Sequence, residues 1–374
     1  MERGQILMAS GASLCSSIQQ KNVAQKRVAV FSIGVPDPSQ GGSGIFNYYL
    51  VRELLNCGYA VEAYLRVSDD FRRNHTLDAY LEALVAKGLH VEFIAEPQPN
   101  TRGLFGAQLL WAAHNVYLCE DTVKRVLCGS KKYEAIIAHE LGWALALAGA
   151  EVPVVGIIGD PLHSRLIHGQ PLEWLRPMTW WRHIRARAAG TQQVFNAIGA
   201  RTNGKLLLGS FSPHHARELR EKGVECTHFR WLSPEVELPP LRNAGAPTDK
   251  PLVLLHVGTL ASTASHSMLQ YWHEQLLPEL AGLPFPVEIR FVGRTESTFS
   301  PPSGNLTVTF LGHEGDLYAE FANCDAFFSP MKYPVGTRTR ILSAMAYAVP
   351  TIADPSASLG LPELQHMRHA FFGG

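Results

Sequence analysis

A chain of 374 residues, 46% of them apolar, exceeds what one ordinary hydrophobic core holds and fits two domains. Its 33 basic and 33 acidic residues cancel, so no global field gathers nucleic acid or an acidic polymer, and any anion site has to be local. The six cysteines (Cys15, Cys57, Cys119, Cys128, Cys226, Cys324) are scattered without a CxxC pair or zinc spacing, which argues for a reduced, cytoplasmic protein without a metal site.

No apolar run reaches the roughly 18 to 20 residues that cross a bilayer. Residues 1–25 are rich in Ser, Gln and Lys without an apolar signal core and read as a disordered leader. From Arg27 the pattern becomes regular. RVAVFSIG is a β-branched strand, followed by a Gly/Pro/Ser loop and the helical pattern IFNYYLVRELLNCG. The unit recurs as AVEAYLRV, a helix over 75–87, LHVEFIAE, a helical region over about 103–128, YEAIIAHE and VPVVGIIGDP. A Trp/Arg-rich stretch, KLLLGSFS, the helical PHHARELREKG and CTHFRWLS close a first domain over 26–236. The Pro-, Ala- and Gly-rich run over 237–251 reads as a linker. The second domain, 252–374, repeats the grammar: PLVLLHVGTL, a helix over 266–280, VEIRFVG, NLTVTFLG, a helix over 316–323, DAFFSPM, a helix over 337–348, and VPTIADP. Strands alternating with helices predict two parallel α/β sheets, Rossmann-like, with a ligand cleft facing the C-terminal ends of their strands.

Two glycine-bearing loops fall where such a cleft lies. Gly42, Ser43 and Gly44 open a helix after the first strand, so backbone N–H groups and a positive helix end can approach a phosphate or a sugar. A turn that merely needs glycine is the plainer reading. The GxGxxG order is missing and no acid ends the second strand, which speaks against a dinucleotide oxidoreductase. Gly336, Thr337, Arg338 and Arg340 precede the helix ILSAMAYAV, a combination suited to a pyrophosphate. The alternative is a pair of arginines solvating a helix face. His139 ends the fourth strand, and Asp160 follows the next one. His139 reads either as a sugar contact or as a satisfied structural histidine, and Asp160 either as a group orienting an acceptor hydroxyl or as a turn residue before Pro161.

The Gly-rich loop, the His-Glu pair in IIAHELGW, VEIRFVG, the segment LTVTFLGHEGDLYAEFANCDAFFSP and the run PVGTRTRILSAMAYAVPTIA, in this order across residues 27–374, resemble the retaining family 4 glycosyltransferases of GT-B fold. The resemblance implies transfer of a sugar from a nucleotide-sugar donor to a hydroxyl acceptor with retention, no obligatory metal and no cofactor. It implies a contact of His139 with the donor sugar, and Asp160 stands beside it as a catalytic candidate on its position alone. It also implies a donor site drawn from Gly42, Ser43, Gly44, Gly258, Thr259, Arg294, Gly312, His313, Gly336, Thr337, Arg338, Arg340 and Ser343, with the base near 311–315.

The chain departs from that family where two glutamates eight positions apart are usual, since Val335 and Ser343 stand there. The Arg and Lys usual after the first strand of the second domain are absent from GTLASTASHSM. The helix with Arg338 and Arg340, and the later GLPEL, resemble a polysaccharide-associated subgroup in which these substitutions are shared. A non-catalytic binder of sugar nucleotides or glycans on the same fold is the competing reading. Residues 172–190 hold Trp174, Trp180 and Trp181 among four arginines, read either as a peripheral membrane contact for a lipid-linked acceptor or as a part-buried helix with a basic face. Relatives continue with further helices after GLPEL, so the second domain reads as truncated.

Overall fold

The computed structural model describes residues 25–38, 42–67, 79–95, 120–159, 205–231, 250–258, 271–293, 302–312, 317–330 and 336–373. In β1 (Arg27–Ile33) successive side chains alternate: Val28 and Val30 enter one apolar cluster, Ala29 and Phe31 the other. A strand buried on both faces belongs in a parallel sheet covered by helices on each side. That sheet adds β2 (Ala60–Val67), β3 (His90–Ala95), β4 (Ala135–His139), β5 (Val154–Ile158), β6 (Leu206–Ser210) and β7 (Thr227–His228), all parallel, in the order 3-2-1-4-5-6-7. Its helices are α1 (Gly42–Asn56), α2 (Ala79–Ala86), α3 (Glu120–Cys128), α4 (Leu141–Leu147) and α5 (Pro213–Glu221).

The second sheet comprises β8 (Leu252–Val257), β9 (Val287–Val292), β10 (Leu306–Gly312), β11 (Ala326–Ser329), β12 (Thr351–Ala353) and β13 (Phe371–Phe372), again parallel, in the order 10-9-8-11-12-13. Val253 and Leu255 face Ile341 and Ala344 on one side, and Leu254 faces Trp272 and Leu277 on the other. The helices are α6 (Leu277–Ala281), α7 (Leu317–Ala322), α8 (Thr339–Ala346) and α9 (Ala357–Gly360). Strand order reverses between β1 and β4 and between β8 and β11, so each sheet opens a crevice at those strand ends.

Several boundaries differ from the sequence expectation, each for a local reason. α1 starts at Gly42, inside the Gly-rich run rather than after it. The helix expected over 337–348 spans only Thr339–Ala346, because Arg338 has a non-helical ψ of 73° before it and Ala348 has φ 54° after it. Of the helix expected over 266–280, residues 272–276 form a π turn leading into α6. Pro278 brings no N–H to an α ladder, which accounts for the irregularity. The run CTHFRWLS supplies only the two paired residues of β7. The proposed leader apart from Gln25, the linker apart from Lys250 and Pro251, and residues 172–190 lie outside the described residues. Among the described residues, no helix is long and apolar enough to cross a membrane, and no cluster of metal-ligating side chains occurs.

Candidate functional site

The first half of the site forms where α1 follows β1 beside the end of β4. His139, 4% exposed, ends β4, and its Nδ1 lies 2.7 Å from Asn47 Oδ1. Asn47 in turn donates through Nδ2 to Ser32 Oγ, which donates to the Ile33 carbonyl at 3.3 Å. Since Asn47 spends its amide on Ser32, its oxygen accepts from His139. That puts a proton on Nδ1 and holds the ring in one orientation. Phe46 packs edge-on against the imidazole, with ring centroids 5.3 Å apart. The arrangement gives an imidazole held in one orientation at the end of β4.

The second half is a row of three glycines at the ends of β8, β9 and β10. Gly258 donates its N–H to Val292 O at 2.7 Å, and Gly293 donates to Gly312 O at 2.6 Å. Gly258 has φ 144°, and a Cβ placed there would stand 2.0 Å from Arg340 Cζ. The Arg340 guanidinium therefore lies flat on the bare Cα of Gly258. Burial pulls its pKa below the usual arginine range. Among the described residues, no carboxylate pairs with it. A desolvated guanidinium without a counter-charge favours an anionic ligand. One turn earlier, the Thr337 hydroxyl is buried without a hydrogen-bond partner.

Under this row sits His256, 1% exposed, donating from Nδ1 to Phe328 O at 2.8 Å. Burial, reinforced by the charge of Arg340 and only partly opposed by that hydrogen bond, lowers its pKa to about 3. The ring is neutral at physiological pH. It adds no second positive charge beside Arg340.

The two halves meet at their helix ends. A Cβ on Gly42 would stand 3.1 Å from Thr339 Oγ1 and 3.6 Å from the Trp231 ring. The first residue of α1 thus faces the first residue of α8, so two positive helix termini converge on the same place. α9 lies against α5, a second contact between the domains.

The predicted residues divide on this geometry. His139, Gly42, Ser43, Gly44, Gly258, Gly312, Gly336, Thr337 and Arg340 all lie at strand ends or helix starts. Arg338, 7% exposed, turns instead toward α9, its Nη2 3.4 Å from Ser356 Oγ. Ser343 Oγ bonds back to Thr339 O at 3.2 Å within its own helix. Gly336 O and the Thr337 Cα pack on Gly360, where a Cβ would meet them at 2.4 and 3.1 Å. Asp160, Thr259, Arg294, His313 and Val335 lie outside the described residues. Sequence reasoning missed Asn47, Ser32, Gly293 and His256. A polar Asn inside an apolar helix pattern was the available signal for the first, and a glycine directly after VEIRFV for the third.

Comparison with known proteins agrees with this architecture. Residues 251–372 match the family Glycosyl transferases group 1. No curated protein matches the chain. Among solved structures, Anabaena Alr3699/HepE in complex with UDP-glucose is 15% identical, with a TM-score of 0.55 over 93% of this chain and 85% of that one. TarM is 9% identical, with a TM-score of 0.53 over 88% and 85%. The chain therefore has the two-domain GT-B fold, and its second domain is similar to the group 1 glycosyl transferases.

Proposed function

We propose that this protein is a glycosyltransferase moving a hexose from a nucleoside-diphosphate sugar to a hydroxyl of a glycan or lipid-linked glycan, with retained anomeric configuration, in polysaccharide assembly. The observation that carries the reading is Arg340, a buried guanidinium without a carboxylate among the described residues, laid on Gly258 near two converging helix N-termini. Such a site suits a diphosphate. As the sugar leaves, charge grows on the diphosphate, and fixed dipoles with a guanidinium stabilise it without a protein proton donor. His139, held by Asn47, suits a contact to a sugar hydroxyl. The match of residues 251–372 and the UDP-glucose bound by the Anabaena protein support the same reading. The reading places the protein in the cytoplasm, with a boundary between domains over 237–251. Trp174, Trp180 and Trp181 would sit at a lipid interface with Arg176, Arg182, Arg185 and Arg187 reaching anionic headgroups, and a sedimentation assay with anionic vesicles at low salt tests that contact.

A thermal-shift screen of UDP-glucose, GDP-mannose, ADP-glucose and dTDP-glucose identifies the donor, followed by calorimetric titration. Arg340→Ala should weaken donor binding at least about tenfold, equivalent to about 1.4 kcal/mol. Arg338→Ala should act mainly on stability, since its side chain is engaged with α9. Equal affinity in wild type and Arg340→Ala overturns the proposal. A non-catalytic binder is the second reading, favoured by Ser343, which turns onto its own helix where a donor contact is expected. Release of nucleoside diphosphate over a long incubation separates the two, since a pure binder leaves the donor intact.

A further inference from the structure

Glu140 holds a backbone conformation that side-chain-bearing residues rarely adopt, with φ 103° and ψ 139°. Ala348 (φ 54°) and Met367 (φ 61°) also have positive φ, but at values typical of the left-handed helical well. Glu140 lies well away from it. The conformation is held from both sides: its N–H donates to Ile157 O on β5 at 2.9 Å, and its C=O accepts from Ala144 N on α4 at 3.3 Å.

Glu140, at the N-cap of α4, makes no side-chain bond to that helix. Its Oε1 reaches instead across the end of β5, 3.5 Å from where a Cβ on Gly159 would stand. The side chain is part-buried and follows His139 directly, at the strand ends that open beside α1. Asn47, which holds His139, is five residues into α1 from Gly42, about 7.5 Å along the helix. A costly backbone state that turns a carboxylate across the end of the sheet points toward a functional role.

We propose that Glu140 is a catalytic carboxylate of the transfer reaction, facing the sugar that is moved. The assignment rests on the glycosyltransferase reading above. When the bond from the anomeric carbon to the diphosphate breaks, its electron pair leaves with the diphosphate and positive charge develops on the sugar ring. The Glu140 carboxylate stabilises that charge. The acceptor oxygen bonds to the same carbon, and its proton passes to the departing diphosphate.

The test uses the full chain and follows nucleoside diphosphate release from UDP-glucose, GDP-mannose, ADP-glucose and dTDP-glucose, with water as acceptor. Glu140→Gln and Glu140→Gly should lower kcat at least about a hundredfold while KM stays within about twofold. Glu140→Asp should retain part of the rate. Glu140→Gly should also melt higher than wild type, because glycine accepts the backbone without strain. Loss of activity with gained stability is a pairing that a structural role does not produce. Glu140→Gln or Glu140→Gly turning over at the wild-type rate overturns the assignment alone. A wild-type protein that releases nothing from all four donors overturns the transfer reading and this assignment with it.

Discussion

His256 carries the clearest pH signature of any single residue. Its imidazole is buried beside Arg340 with a pKa lowered to about 3, against about 6.5 for an exposed histidine. The unfolded chain therefore binds a proton that the folded chain refuses between those values. The stability contributed by the neutral ring is fully present above pH about 6.5 and is lost as pH falls toward about 3. Melting temperature should fall steeply across this window in wild type, and the slope should flatten in His256→Phe, as scanning calorimetry from pH 7 to 4 would read. The same neutrality matters for binding. A charged His256 would repel Arg340 and raise the cost of burying the guanidinium.

Helix ends show how local rules and their exceptions are shared out. α5 begins with Ser212, whose Oγ accepts from His215 N at 3.3 Å, with Pro213 at its first position. It ends at Gly223, φ 80°, with Gly223 N bonded to Arg220 O and Val224 N to Leu219 O, each at 2.9 Å. α8 closes with the same pair of bonds, Ala348 N to Met345 O at 3.0 Å and Val349 N to Ala344 O at 2.9 Å. Alanine occupies the left-handed position there, with φ 54°. Ala348→Gly should stabilise the protein by about 1 kcal/mol, by removing the left-handed penalty. Ser212→Ala should cost about 1 kcal/mol through the lost cap. Urea denaturation of the two variants measures both, and an unchanged midpoint for Ala348→Gly contradicts the strain.

For the molecule as a whole, the telling contact is Gly42 against Thr339, where α1 of one domain meets α8 of the other. A glycine without side chain lets two positive helix ends approach together. Gly42→Leu inserts a side chain into a space where even a Cβ would stand 3.1 Å from Thr339 Oγ1 and 3.6 Å from Trp231. The variant should expand in small-angle scattering and bind donor about tenfold more weakly, a loss of about 1.4 kcal/mol. The core of each sheet should be unaffected, because Gly42 enters none of the apolar clusters.

Periodicity and turn chemistry along the sequence determined that the chain forms strands alternating with helices in two sets, because buried parallel strands and their covering helices impose local apolar patterns. They also marked Gly336, Arg340 and His139, since glycine and charge at a helix start or strand end are unusual enough to stand out, whereas Gly258 entered only through the family resemblance. Which arginine faces the site was not legible. Arg338 and Arg340 stand two residues apart before one helix, and only the folded chain turns the first toward Ser356 and lays the second on Gly258. Likewise, Asn47 stands out in the apolar pattern of α1, but nothing local names its partners. Its bonds to His139 and Ser32 join residues 92 and 15 positions away. Pairings over such separations, and the strained turn that aims Glu140, arise from how β1, β4 and β5 line up in the sheet. That register is a property of tertiary structure, because it depends on which strands pair rather than on any one segment's preference.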